Sequence, residues 1–248
     1  MPGIQACVLA AGKGTRMGGD RPKVLFEARG KPLIEWVLGA LSEAGVDDVV
    51  VVVGYRKDDV VSTLPTGVRW VEQSPQLGTG HAVRCARGVF PGNVENIIVT
   101  YGDMPLVTAA TYRCLIEARA AFGAAAVFLA VPVTPDSRFG RVVRDSASNV
   151  LRIVEYKDAT PEERRIGEGN AGVYCFAPRF LWNALEKIKN DNAQGEYYLT
   201  DVVDVLISEG GRVEAILAAD PLEGTGVNTP AELGEAEKAL AIRESRAK

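Results

Sequence analysis

Apolar residues along the chain follow two alternating rhythms. Short, largely apolar runs, Ile4–Ala10, Asp48–Gly54, Ile97–Tyr101 and Ala124–Val133, have the length and composition of buried strands. Val68–Glu72 reads as a further strand. Between these runs, apolar positions at helical spacing predict helices over Leu33–Glu43, Lys57–Leu64, Gly80–Arg87 and Ala109–Ala121. Strands alternating with helices predict a parallel or mostly parallel sheet with helices on both faces. The second half is less regular. Val142–Arg144 and Val150–Glu155 read as a strand pair around Ser146–Asn149, and Asn170–Phe176 and Val213–Leu217 as strands. Phe180–Lys187 and Asp201–Glu209 read as helices. A mixed sheet with an inserted, substrate-facing lobe accommodates them. Thr229-Pro230-Ala231-Glu232 is a capping box with proline at the first helical position, and Leu233, Ala236 and Leu240 then share one face. The polar tail Arg243–Lys248 is expected to fray. The domain reading is one unit over 1–228, followed by a C-terminal helix and polar tail over 229–248.

Composition narrows the class. With 47% hydrophobic and 24% charged residues over 248 positions, the chain reads as a soluble globular protein long enough for a sizeable core. A net charge of −4 argues against non-specific nucleic-acid binding, which needs a basic face. The first charge is Lys13, so no positive region precedes an apolar segment, and Gly123 and Pro132 break the longest charge-free stretch, Ala120–Pro135. The expected setting is cytoplasmic, with no membrane partner. Cys7, Cys85, Cys114 and Cys175 form no CxxC pair and are expected to be reduced thiols, with Cys7 and Cys175 buried in strand-like runs. His81, the only histidine, excludes a zinc site built from several histidines. It is expected in the first turn of a helix, with no catalytic role.

The chemistry concentrates after the first strand. Gly12, Gly14, Gly18 and Gly19 are interleaved with Lys13, Arg16, Arg21 and Lys23, and only Asp20 opposes that charge locally. Glycines let backbone N–H groups approach an anion, and neighbouring cations suit phosphates. The dinucleotide pattern fails at Met17, and no P-loop spacing exists. A flexible glycine turn explains the glycines but not the four cations. Ligands of an open α/β sheet bind beyond the strand carboxyl ends. Three segments are therefore expected to meet: the Gly12–Lys23 loop, Val99–Asp103 and Glu72–Gly80. Asp103 reads either as a turn cap or, beside phosphates, as a Mg²⁺ ligand. Gln73 and Gln76 offer amides that could pair with a base edge or simply face water.

In this order the motifs resemble the sugar-nucleotidyltransferase family, and within it the uridylyltransferase domain of bacterial N-acetylglucosamine-1-phosphate uridylyltransferases. The resemblance rests on Leu9-Ala10-Ala11-Gly12-Lys13-Gly14-Thr15-Arg16-Met17, Pro22–Leu25, Gln76-Leu77-Gly78-Thr79-Gly80-His81-Ala82 and Tyr101-Gly102-Asp103. It continues through Phe139-Gly140-Arg141, Val154–Thr160, Asn192–Asp201 and Gly226-Val227-Asn228, and so covers nearly the whole chain. It implies a Rossmann-like three-layer nucleotidyltransferase fold, with a mixed, mostly parallel sheet and an inserted sugar-binding lobe. It implies UTP and sugar-1-phosphate as substrates, Mg²⁺ as cofactor, and uridylyl transfer with release of pyrophosphate. By the same resemblance, Leu9, Ala10, Ala11 and Gly12 border the nucleotide, Gln73, Gly78 and Thr79 hold uracil, and Tyr101 and Gly102 line the ribose and sugar region. Gly140, Glu155, Asn170, Tyr198 and Thr200 serve the sugar. Asp103 and Asn228 ligate Mg²⁺, and Arg16 and Lys23 bind phosphates and catalyse.

The chain departs from the family pattern at two points. Asn170-Ala171-Gly172 stands where Asn-Thr-Gly is expected, and the missing hydroxyl is expected to loosen or reshape the sugar pocket. No hexapeptide repeats follow the last helix, so acetyl transfer is not expected, and the expected state is a monomer or weak oligomer. The rival readings are a transferase for another sugar-1-phosphate or nucleotide, a glycosyltransferase on a similar fold, and a non-catalytic nucleotide sensor. No Asp-x-Asp pair is present to support the second.

Overall fold

The computed structural model describes residues 3–18, 20–90 and 94–246. Gly19 of the glycine loop and Ala247 and Lys248 of the tail lie outside the described residues. The first half runs β1 (Ile4–Ala10), β2 (Glu27–Ala28), β3 (Lys31–Pro32), α1 (Leu33–Glu43), β4 (Val49–Val53), α2 (Lys57–Thr63), β5 (Arg69–Glu72), α3 (Thr79–Ala86), β6 (Asn96–Tyr101) and α4 (Ala109–Phe122). The second runs β7 (Ala126–Pro132), β8 (Gly140–Arg144), β9 (Val150–Val154), β10 (Glu168–Phe176), α5 (Pro178–Leu185), α6 (Asp201–Ser208), β11 (Val213–Leu217) and α7 (Pro230–Arg246).

A nine-stranded sheet follows the order β5-β4-β1-β6-β10-β7-β11, with β8 and β9 attached through β10. β1 runs parallel to β4 and β6, β4 to β5, and β7 to β11. β10 is antiparallel to its three partners, β6, β7 and β8, so the sheet is mixed, and its central run of seven strands is mostly parallel, as expected. Alternation of side chains along each strand feeds opposite layers. Ala6, Val8, Ala10, Val51 and Val53 pack with residues of α1, α2 and α4. Cys7, Leu9, Val50 and Val52 pack with residues of α3, α5 and α6. These continuous apolar runs are thus sandwiched, which produces three layers. A smaller cluster joins α7, through Ala236 and Leu240, to Met17, Ala28 and Leu33. It braces the glycine loop from outside the sheet.

Several boundaries differ from expectation for identifiable reasons. β8 begins at Gly140 because the polar Gly140-Arg141 pair continues the ladder onto Asn170 and Gly169 of β10. β10 likewise starts earlier, at Glu168. The tail does not fray from Arg243. The helix continues to Arg246, and Arg243 donates to the Leu106 carbonyl and, at 2.9 Å, to Asp220.

Candidate active site

β1 is where the strand order turns outward in both directions, toward β4 and β5 on one side and β6 on the other. A crevice at the carboxyl ends of such strands is the ligand position of open α/β sheets. A cleft of about 310 Å³ lies there, lined by Leu9, Ala10, Ala11, Gly12, Lys23, Val24, Gln73, Gln76, Gly78, Thr79, Ala82, Tyr101, Asp103 and Glu196. The three segments expected to meet do so.

The glycine loop is shaped to return Lys23 to the cleft. Gly14 has φ +66, and a Cβ there would lie 2.6 Å from the Lys23 Cβ. Only a residue without a side chain allows that left-handed turn and close approach together. The Lys23 ammonium ion-pairs with Asp103, which is 7% exposed, and donates to Asn228 Oδ1 at 2.8 Å. Arg16 donates to the same oxygen at 3.1 Å. The start of α7 fixes Asn228. Glu232 accepts from the Asn228 backbone N–H at 2.7 Å, while Thr229 accepts from Glu232 N–H at 3.3 Å. The expected capping box therefore forms with its acidic arm shifted one residue, onto Asn228. Val227 N–H donates to the Asp103 carbonyl at 2.9 Å and ties the two segments together.

Asp103 and Asn228 thus aim oxygens at one shared cation. Two such oxygens suit Mg²⁺, which is typically held by one or two protein oxygens and completed by phosphates and water. Among the described residues no cluster of three histidine, cysteine or acidic side chains could hold a metal ion. The other loop cations are engaged elsewhere: Lys13 lies over the Tyr55 ring at 5.2 Å, and Arg21 pairs with Glu27 at 3.1 Å.

At the opposite wall, Gln73 is buried and donates to the Gly78 carbonyl at 2.9 Å. Gln76 donates to the Ala11 carbonyl at 2.6 Å, so its amide NH₂ supports the β1 loop. Gly78 has φ +105, and a Cβ there would lie 2.6 Å from the Tyr197 carbonyl. The loop before α3 therefore docks directly on the segment carrying Glu196 and Tyr198.

The candidate sugar residues adjoin this cleft and do not line it. Thr200 donates to Glu155 at 3.0 Å, and a Cβ on Gly140 would lie 3.6 Å from the Glu155 carboxylate. Asn170 accepts from Gly172 N–H at 3.0 Å and donates to the Tyr174 hydroxyl at 2.6 Å, within an irregular stretch of β10. The Tyr198 hydroxyl accepts from Gln194 at 2.9 Å, and Thr79 accepts from Leu199 N–H at 3.0 Å. Tyr101 lines the cleft with its ring against Gly172 of β10, and Gly102 N–H donates to the Leu9 carbonyl at 2.9 Å, binding β6 to β1. Ala171 packs in the apolar core with Val131 and Val173. Its methyl therefore serves packing.

Acidic groups gather behind this second region. Burial, then Asp204, Glu155, Asp158 and Asp191, pushes the Asp201 carboxyl up to about 7, and burial pushes Asp204 up to about 6. Burial also raises Glu155. A carboxyl whose folded value is raised binds protons more tightly when folded, so its contribution is full at low pH and lost as pH rises through the folded value. Melting temperature is expected to fall as pH rises from the ordinary carboxylate range to about 7. Asp201→Asn is expected to flatten that fall, as read by thermal melts across pH.

Residues 6–205 match the MobA-like NTP transferase domain. The chain belongs to that family. As a member of the MobA-like NTP transferase family, it is a nucleotidyltransferase. Its relatives include the bifunctional protein GlmU of Brevibacillus brevis, 45% identical over 237 residues, covering 96% of this chain and 51% of that protein. GlmU of Trichlorobacter lovleyi is 43% identical over 240 residues, covering 96% and 52%. GlmU of Acetivibrio thermocellus is 42% identical over 241 residues, covering 97% and 52%. The chain spans about half the length of these curated relatives. Among the described residues, no helix of this MobA-like transferase is long and apolar enough to cross a membrane. Sequence reasoning leaves the purpose of Gln76 open and does not single out Glu196 as a cleft residue. Both sit inside motif blocks whose spacing alone does not reveal which side chains face inward.

Proposed function

We propose that this enzyme transfers the uridylyl group of UTP to N-acetylglucosamine-1-phosphate, with Mg²⁺, giving UDP-N-acetylglucosamine and pyrophosphate. The observation that carries this reading is the convergence of Lys23, Arg16, Asp103 and Asn228 where the β1 loop and β6 meet. The backbone from Leu9 to Gly12 would run beside the nucleotide, and Gln73, Gly78 and Thr79 would hold the base. Tyr101 and Gly102 would line the ribose, with Gly140, Glu155, Asn170, Tyr198 and Thr200 toward the sugar.

A sugar-phosphate oxygen attacks the α-phosphorus, the bond from that phosphorus to the bridging oxygen breaks, and pyrophosphate carries away the electron pair. The nucleophile needs no general base, since a phosphomonoester's second pKa is about 6. Catalysis then reduces to positioning and charge neutralisation. Arg16 and Lys23 spread the charge that builds on the α-phosphate and the leaving group. Mg²⁺ held by Asp103 and Asn228 would neutralise and align the phosphates of both substrates.

Pyrophosphate release measured across nucleotides and sugar phosphates, with Mg²⁺ and then with EDTA, tests the assignment. UTP with N-acetylglucosamine-1-phosphate is expected to be the best pair, and EDTA to abolish turnover. A better rate with another sugar phosphate or nucleotide overturns the substrate assignment. Arg16→Lys is expected to lower kcat/KM about tenfold or more, because a point charge replaces a bidentate fork. The same assay checks it.

A further inference from the structure

We propose that His81 is a positioning residue that holds the Gln73 amide with its oxygen toward the base, so that the site selects a pyrimidine imide, whose ring nitrogen carries a hydrogen. This inference rests on the uridylyl-transfer reading and deepens it. Gln73 Nε2 lies 2.9 Å from the Gly78 carbonyl and 3.1 Å from His81 Nδ1. A carbonyl can only accept, so the amide nitrogen must face it. The second amide hydrogen then points to His81, whose Nδ1 must be the unprotonated, accepting nitrogen. The other ring nitrogen then carries the proton; Cys85 Sγ lies 3.8 Å from it and 4.0 Å from Nδ1, so the Gln73 contact and not the sulfur decides the tautomer. With both amide hydrogens engaged, the Gln73 oxygen accepts from no described group of the protein, and Gln73 lines the cleft.

That oxygen can accept from uracil N3–H. Cytosine presents a bare acceptor at the same ring position, so two lone-pair-bearing atoms would face each other. Discrimination by an unpaired, buried polar group is stronger than discrimination by shape. His81 therefore contributes through Gln73 without touching substrate.

The geometry has a pH consequence. Protonation of His81 would turn Nδ1 into a donor facing an N–H group. The titratable groups that face the imidazole are Arg84 and Cys85 of its own helix. Burial first, then Arg84, holds its pKa below the usual histidine value. From the other packed elements, Gln73 is neutral, and Cys7 on β1, which interacts with Cys85 and not with the ring, is a buried thiol pushed further from ionisation. The ring is thus neutral near pH 7, and the arrangement is lost only as pH falls below the ordinary histidine range.

The test compares the parent with His81→Phe, which keeps a ring but no acceptor, and His81→Asn, whose amide oxygen can take the place of Nδ1. Loss of one buried hydrogen bond predicts about a tenfold rise in the KM for UTP in His81→Phe, and about a tenfold drop in the UTP-over-CTP preference in kcat/KM. The kcat at saturating UTP and the KM for the sugar phosphate should hold, and His81→Asn should recover most of the loss. The ratio of UTP KM values, His81→Phe over parent, should shrink toward one once the pH falls far enough below the ordinary histidine range to protonate the parent's ring, because parent and variant then both lack the acceptor. Unchanged KM and selectivity in His81→Phe overturn the proposal. So does a loss confined to kcat or spread equally to the sugar phosphate, which marks a merely structural role. If the parent releases no pyrophosphate from UTP, the uridylyl reading itself fails, an outcome visible before any variant is made.

Discussion

Asp103→Ala is expected to lower pyrophosphate release by about three orders of magnitude. Asp103 sits at the carboxyl end of β6, and its carboxylate pairs with Lys23 rather than with any apolar neighbour. Its removal therefore leaves the three packed layers intact, and the melting temperature should change by only a few degrees. What is lost is the charged half of an oxygen pair, since Asn228 alone is a neutral donor. The Mg²⁺ concentration giving half-maximal rate should rise along with the loss of turnover. Lys23→Ala is expected to be similarly slow but to keep the parent's Mg²⁺ dependence, because it removes a phosphate partner and keeps both oxygens. A Mg²⁺ titration of the two variants separates the roles. Near-parent turnover in Asp103→Ala, or an unchanged Mg²⁺ midpoint, sinks the metal assignment.

Much of this fold is legible in the chain itself, and the illegible parts share a cause. β4 is a continuous valine run and β1 and β6 are largely apolar, and their short length and β-branched content favour strands buried on both faces. The meeting of the β1 loop, the end of β6 and the loop after β5 follows from parallel strands opening on one edge. The direction of β10 does not follow from composition. A long, mostly buried run looks the same whichever way it is inserted, yet its antiparallel course pairs Asn170 with Ala130 and Gly140. Short polar strand ends such as Gly140-Arg141 carry no periodic signal. The four loop cations look equivalent in sequence. Their sorting depends on partners distant along the chain: Tyr55 claims Lys13, Glu27 claims Arg21, and Asn228 receives Arg16 and Lys23. The capping box is readable, but the attachment of Glu232 to the Asn228 backbone N–H is not, because the motif's residues alone do not say which of two adjacent N–H groups the carboxylate meets.

Arg141→Ala is expected to destabilise the fold far more than Asp103→Ala or Lys23→Ala. Arg141 has no exposed surface, and it meets no carboxylate. Its guanidinium instead donates to the carbonyls of Thr134 at 3.1 Å, Pro135 at 3.1 Å, Ser137 at 2.8 Å and Arg164 at 3.2 Å, and also to Phe139. The Tyr156 ring lies 5.7 Å away. One side chain thus gathers the loop before β8 and the short helical turn at Glu163–Arg165, and it does so with the rigid five-donor fork that only arginine offers. Truncation would leave several acceptors in a shielded space with no donor, and each such group costs about 1–3 kcal/mol where water cannot reach it. Partial hydration of the loop would relieve some of this. A net loss of about 3 kcal/mol and a melting temperature lower by about 10 °C are the expected results. Arg141→Lys should recover less than half, since an ammonium has three donors for five carbonyls. The functional effect should be directional. Arg141 is adjacent to Gly140 and pairs across the ladder with Val154, the neighbour of Glu155. Loosening this corner should raise the KM for the sugar phosphate while leaving that for UTP near the parent value, because the cleft proposed for the nucleotide is lined mainly by the ends of β1 and β6, the loops that follow β1 and β5, and the start of α3. Steady-state kinetics in both substrates, below the lowered melting point, would show the split. An equal rise in both KM values would mean that the lobe and the nucleotide cleft respond as one body.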